Sequence, residues 1–406
     1  MSTTTISGFD IGPVQINGSH SHVIVKKGAT LMIGGSVGGT TGAIMEDLNN
    51  PVNCHDNDYT IDGRVLGYQI GMYLSGANDA IDIGEFGELH ALYGLVTTGT
   101  NDHINNDGKI IGDAISPGSG FGVYAMGTGS LFIDNGGMIM GDTAIGFQGS
   151  KLSLTNEKDG RIIGNTVGIV AISPADGTAE IINHGYIAGK SGTAFVSAGN
   201  DATIINDGRI KGQIIFGDGD DLLDNRGGAL SNLTVIGGGG GDTLIVDDNK
   251  HFLQEMAAGG TDTIKSTVTY KLPAEVERLM LIGNSNIDGK GSTGANTLKG
   301  NGGNNVLAGL GGADDLFGGK GTDKLIGGAG ADVFHFATGD GHDKVQDFHH
   351  MEDKIDLGDW AGVQSFNKVL ADAHNQGADV LIEHGNDSLL LVGVHKGDLT
   401  AGDFSF

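Results

Sequence analysis

From Gly291 to His335 the chain reads GSTGANTLK, GNGGNNVLA, GLGGADDLF, GGKGTDKLI and GGAGADVFH, nine-residue units that follow one another without a gap. Gly stands first and fourth in each unit, Asn or Asp sixth, and Leu eighth, save in the last unit, where Phe holds that place. Each choice has a physical use. Glycine allows a tight turn and a close backbone approach, a carboxylate supplies hard anionic oxygen, and the large apolar residue packs between sheets. A strict short period of this kind is the mark of a solenoid, in which each turn buries the apolar edge of the next.

Working outward, a looser period fills the preceding half. A turn followed by a Gly-x-aliphatic step recurs as DGRVLG from Asp62, DGKIIG from Asp107, GGMIMG from Gly136, DGRIIG from Asp159, HGYIAG from His184 and DGRIKG from Asp207. The corner glycines Gly63, Gly87, Gly108, Gly137, Gly160, Gly185 and Gly208 recur at a coil length that varies with insertions. This pattern predicts a parallel β-helix over residues 22–235, with Val65, Leu89, Ile110, Ile139, Ile162, Ile187 and Ile210 stacked inside. Asn106, Asn135, Asn183 and Asn206 stand two places before their corner Gly and predict a structural amide ladder.

Composition agrees with a repeat protein. The 406 residues include 75 Gly and only 5 Pro, and 50 acidic residues against 23 basic ones give a formal net charge of -27. Such a chain repels itself unless cations bind, and it lacks the basic surface that nucleic acid or an anionic membrane would require. A divalent metal ion is the more natural partner. Cys54 is the only cysteine, which rules out an intrachain disulfide. Neither a signal-peptide pattern nor a span of transmembrane length is found, so export is expected without a cleaved N-terminal leader.

The nonapeptides resemble the RTX (hemolysin-type) consensus GGxGxDxUx, where U is a large apolar residue. The resemblance implies a calcium-binding parallel β-roll. With two units to a coil, loops on one side recur at every second unit, so Asp314 faces Asp332 and Asp323 faces Asn305. Each ion would sit between stacked loops, its shell completed by the carbonyls of Leu310, Gly312, Gly319, Gly321, Gly328 and Gly330. Asn296 and Asn305 are uncharged, so their loops should bind weakly or not at all. GDGHDKVQDF from Gly339 places Asp340, Asp343 and Asp347 where the family commonly ends its roll. Upstream, Asp221, Asp242 and Asp262 each follow a Gly by two places. With Asp201 they recur almost evenly, at the length of one long coil, which suggests a further calcium column; the plainer reading makes them solvated turn residues.

The segment 247–289 also resembles what precedes RTX repeats, and residues 352–406 resemble the C-terminal region of type I secretion substrates, the serralysin group included. That resemblance implies one-step export directed by the uncleaved C-terminus, and an extracellular or cell-surface location. In a plainer reading DVLIEHG and DSLLLVG form a capping hairpin and FNKVLADAH a short helix.

The expected fold is therefore all-β. Residues 1–21 form an N-terminal extension or cap, 22–235 a parallel β-helix, 236–351 a calcium-binding RTX β-roll, and 352–406 a small cap with the secretion signal region. The expected function is structural or adhesive, at the cell surface or in the extracellular matrix, with calcium-driven folding outside the cell and self-assembly or an extracellular polysaccharide as further partners. The alternative is a polysaccharide-modifying enzyme of lyase or epimerase type. HExxH is absent, and no catalytic residue is assigned. The residues after the corner glycines run Arg64, Glu88, Lys109, Met138, Arg161, Tyr186 and Arg209. Such alternation keeps like charges apart, or it presents a basic stripe to an acidic polysaccharide, with Tyr186 as a sugar platform.

Overall fold

The computed structural model describes residues 2–16, 19–32, 42–46, 55–113, 119–173, 177–199, 201–232, 234–255 and 259–406; Cys54 lies outside them. The chain is a nearly all-β parallel solenoid and divides into two compact units, residues 1–238 and 239–406.

In the first unit the inside-outside alternation of each strand is set by the period of two of an extended chain. One interior stack runs in register through Val65, Leu89, Ile110, Ile139, Ile162, Ile187 and Ile210, none more than 2% exposed. A second, on the other sheet, runs through Ile81, Ile104, Ile133, Leu154, Ile181 and Ile204. Burying each of these side chains contributes about 2 kcal/mol relative to exposure.

From Asp102–Asn106 onward the strands of the second stack end in asparagines. The side-chain amide of Asn106 donates to Asn135 Oδ1 at 2.7 Å, Asn135 to Asn156 at 2.7 Å, and Asn156 to Asn183 at 2.7 Å. Asn183 continues to Asn206 and Asn206 to Asn225, both at 2.6 Å. Asn156 and Asn225 join the ladder although they do not stand two places before a corner Gly; their turns, NEKDG and NRGG, differ in length. Residues 2–16, set apart in the sequence as an extension or cap, include the strands Ser2–Ile6, Phe9–Ile11 and Val14–Ile16. These pair in parallel with Ser21–Val25, Thr30–Met32 and Gly42–Glu46, and so form the solenoid's first coil.

In the second unit the coils are shorter. The odd nonapeptides supply the strands Thr297–Lys299, Asp315–Phe317 and Val333–Ala337 of one sheet, and the even ones supply Val306–Gly311 and Lys324–Ala329 of the other. Two units therefore make one coil, and equivalent positions pair from coil to coil, Leu298 with Leu316, Leu316 with Phe334, and Leu307 with Leu325. The eighth residue of each unit, Leu298, Leu307, Leu316, Leu325 or Phe334, is fully buried between the sheets.

The roll closes by changing pairing mode. His342–Val345 pairs in parallel with Asp387–Leu391, which then pairs antiparallel with Asp379–His384, itself antiparallel to Ala373–Gln376. A hairpin supplied from beyond the roll thus occupies a strand edge that would otherwise invite association. The helix Phe366–Asp372 precedes it, with Ser365 accepting from Lys368 N–H at its start. Among the described residues no helix is long and apolar enough to cross a membrane.

Candidate metal centre

Each sixth-position aspartate of the roll reaches back one coil. Asp314 Oδ1 accepts the backbone N–H of Asn296 at 2.7 Å, Asp332 Oδ1 that of Asp314 at 2.9 Å, and Asp353 Oδ1 that of Asp332 at 3.0 Å. On the opposite side Asp323 Oδ1 accepts from Asn305 N–H at 2.7 Å and Asp343 Oδ1 from Asp323 N–H at 2.9 Å. The coil period thus brings Asp314 over Asp332, and Asn305 over Asp323 and Asp343.

The second carboxylate oxygen is left over. Oδ2 of Asp314, Asp323 and Asp332 is buried and accepts no hydrogen bond. It lies against the first glycine of its own unit, Gly309, Gly318 or Gly327, where a Cβ would collide with it. A buried anionic oxygen without a donor is costly, and a cation in contact with it removes the cost.

Burial, opposed in part by the backbone N–H donors, raises these carboxyl pKa values well above the ordinary range. Asp314 and Asp323 rise to about 7, Asp332 to about 6, and Asp343 to about 8. Neighbouring carboxylates add to the rise, Asp332 and Asp315 for Asp314, Asp323 and Asp340 for Asp343.

The loop backbone fits the same purpose. Positions two and four lie in the left-handed region: Leu310 (φ 84°), Gly312 (105°), Gly319 (83°), Gly321 (139°), Gly328 (106°) and Gly330 (133°). Equivalent positions stack directly, so that a Cβ at Gly328 would meet the carbonyl of Leu310 and one at Gly330 that of Gly312. Leu310 is the exception in kind, a non-glycine held in a conformation that costs about 1–2 kcal/mol.

The asparagine loops satisfy themselves. Asn296 Oδ1 accepts from Ser292 N–H at 2.6 Å while its amide donates to the carbonyl of Val276 at 3.0 Å. Asn305 Oδ1 accepts from Asn301 N–H at 2.8 Å, and its amide donates to Ile287 O at 2.6 Å and Asn301 Oδ1 at 3.0 Å. An N–H₂ group takes the electropositive role a cation would have, so Asn305 is a weaker ligand candidate than its neighbours.

Three further acidic residues end the roll. Asp340 Oδ2 accepts from Ala337 N–H at 2.7 Å, and Asp347 accepts from Gly327 N–H and Gly328 N–H, both at 3.0 Å. Asp347 therefore caps the loop below it through backbone donors. Asp387, from the terminal hairpin, caps the loop of Asp340 and Asp343 by accepting from Gly339 N–H at 2.9 Å and Gly341 N–H at 3.2 Å. Sequence reading missed Asp387, whose contact joins the roll to a hairpin far along the chain. It also missed Asp353, although the DKIDL that follows Glu352 has the acid-x-aliphatic form of a repeat.

The upstream aspartates divide between the units. Asp221, in the first, accepts from Ala202 N–H; Asp201 is one position out of step and accepts from Asp220 N–H instead. In the second, Asp262 Oδ1 accepts from Asp242 N–H at 2.8 Å, and carboxylate oxygens of Asp242, Glu255 and Asp262 lie within 4.8 Å of one another. Glu277 occupies the next rung, accepting from Asp262 N–H at 2.8 Å. Glu255 and Glu277 follow no repeat and were not legible.

The family model of the RTX calcium-binding nonapeptide repeat, in four copies, matches residues 290–325 and 309–343. These loops are RTX calcium-binding repeats. The match covers the loops of Asn296, Asn305, Asp314, Asp323 and Asp332 and runs on to Asp343. No curated protein matches the chain. Among solved structures, the extracellular lipase LipA from Serratia marcescens is similar over 63% of this chain and 44% of the lipase, with 15% identity and a TM-score of 0.25. The chain spans less than half of that lipase, and nothing about its activity follows from so low a score.

Proposed function

We propose that the chain is an extracellular RTX protein with a structural or adhesive role, whose roll completes its folding when calcium binds outside the cell. The observation that carries this reading is the set of buried, donorless Oδ2 atoms of Asp314, Asp323 and Asp332 beneath loops held in left-handed conformations. Calcium takes six to eight oxygens, more than one loop supplies, so each ion would bridge two stacked loops. Asp314, Asp323, Asp332 and Asp343 give the charged oxygens, and the carbonyls at positions two and four supply the rest.

Where calcium is scarce, the crowded carboxylates oppose closure of the roll; at extracellular calcium, binding energy becomes folding energy. An unfolded roll inside the cell suits one-step export through the C-terminal region. The adhesive role is supported by the run of stacked coils, which offers a repetitive surface. Of the polysaccharide-modifying alternative, glycan binding is the part that the side chains of the first unit support.

Light scattering with circular dichroism, on the calcium-free protein and after addition of millimolar calcium, tests the reading. A calcium-dependent gain of β signal together with growth into ordered particles is expected. A β signal unchanged between chelator and calcium would refute the folding switch, and a calcium-loaded monomer at high concentration would refute assembly.

A further inference from the structure

The register of the first unit sets Arg161, Tyr186 and Arg209 side by side on three successive coils. The guanidinium carbons of Arg161 and Arg209 lie 5.4 and 6.0 Å from the centre of the Tyr186 ring. Lys158, from the turn before Arg161, and Lys211, two places beyond Arg209, join them around one shallow concavity. All four cationic side chains are exposed. Among the described residues the ion pairs of Lys and Arg are Arg64–Glu88, Lys151–Glu180, Arg226–Asp224 and Lys368–Asp372, so none of the four has a carboxylate partner.

Four unneutralised cations on one face are unexpected in a chain of net charge -27. If their only task were to keep like charges apart, the tyrosine spacer would serve the two arginines, and the two lysines would not need to converge on the same hollow. The residues that line the hollow include no carboxylate, Glu157, Asp159 and Asp207 standing in the turns beside it.

We propose that this hollow binds an acidic oligosaccharide. Arg161 and Arg209 stand two coil spacings apart, about 10 Å, which suits an extended ligand with separated carboxylates better than a compact ion. Each guanidinium can hold a carboxylate by two parallel hydrogen bonds. Tyr186, with an arginine over the ring from each side, offers its hydroxyl and edge to sugar hydroxyls rather than a bare stacking face. A duplex nucleic acid would need a longer basic track than four residues provide. This rests on the adhesive role proposed above and gives it a ligand class, yet it uses no residue of the calcium loops.

The test is titration calorimetry on the full-length, calcium-loaded protein with a hyaluronan decasaccharide, folding being checked by circular dichroism on every variant. Wild type should bind, with affinity falling as salt rises. R161E/R209E should lose about 30-fold or more, and K158A/K211A about 5- to 10-fold. R64E, in the same column but drawn from a residue already paired to Glu88, should bind like wild type, and a neutral cello-oligosaccharide should not bind. The proposal is overturned if wild type fails to bind hyaluronan, if R161E/R209E binds as well as wild type, or if a single-stranded oligonucleotide of equal charge binds more tightly. None of these failures would touch calcium-driven folding, which the chelator experiment reads separately.

Discussion

The two units use the same architectural device with opposite chemistry. In the first, the ladder from Asn106 to Asn225 is built of amides, and the inner four, Asn135, Asn156, Asn183 and Asn206, each donate to one neighbour and accept from the other. In the second, the ladders of Asp314–Asp332–Asp353 and Asp323–Asp343 are built of carboxylates, which only accept. An amide ladder satisfies itself except at its end, where Asn106 Oδ1 has no donor. A carboxylate ladder gathers like charges and, at Asp314, Asp323 and Asp332, leaves one oxygen without a donor, so it is complete only with a cation. The contrast is one of –NH₂ against –O⁻, the amides standing at the ends of strands in the first unit and the carboxylates just before the strands in the second.

The largest effect expected from this contrast is on hydrogen exchange of the full chain in chelator. Amides of the strands between Thr297 and Val345 should exchange about two orders of magnitude faster than with calcium, while those of the strands from Ser130 to Asn206 keep their protection. Equal loss of protection in both units would break the comparison.

Next in size is the exchange of the two chemistries. Asp323→Asn should weaken calcium binding by about tenfold or more, yet raise the stability of the calcium-free protein, because a donor replaces the uncompensated oxygen. Asn156→Asp should destabilise the first unit by about 1–3 kcal/mol, since Asn183 Oδ1 loses its donor. Denaturation midpoints with and without calcium read both. If Asp323→Asn destabilises the calcium-free protein, the carboxylate is not the source of the instability.

A third, smaller effect is on pH. The folded carboxyls of Asp314, Asp323, Asp332 and Asp343 titrate at about 7, 7, 6 and 8 against an ordinary value of 3.8. A carboxyl with a raised folded pKa favours the folded state when protonated. The calcium-free roll should therefore be most stable below about pH 4 as far as these groups decide it, and lose that contribution as pH rises to about 8. Calcium affinity should move the other way, falling as protons compete below about pH 7. Thermal melts in chelator between about pH 5 and 8 check the sign; a roll that gains stability with rising pH would contradict it. Smallest is Leu310→Gly, expected to stabilise the roll by about 1 kcal/mol by relieving the left-handed strain while keeping the carbonyl in place, as read from the denaturation midpoint.

Much of this was legible because repetition converts spacing into geometry. The eighth-position Leu and Phe, the sixth-position Asp and the aliphatic column from Val65 to Ile210 recur at coil length, and a coil has only one place to put each. Legibility failed where a coil changed length, as at Asn156 and Asn225, or where the contact is not made by a repeat, as at Glu255, Glu277 and Asp387. Asp201 shows the same limit from the other side: its distance from Asp221 matched a long coil, but an offset of one position gave the rung to Ala202.

By itself, then, the sequence determined the solenoid, its two coil lengths and the calcium-binding character of the roll, because each follows from residue type at a fixed period. Only the tertiary structure decided which oxygens lack donors, which asparagines have already replaced a cation, and which lysines join Arg161 and Arg209 around Tyr186. Those properties depend on what a side chain meets one coil away, and spacing alone does not say whether the neighbour donates, accepts or stands aside.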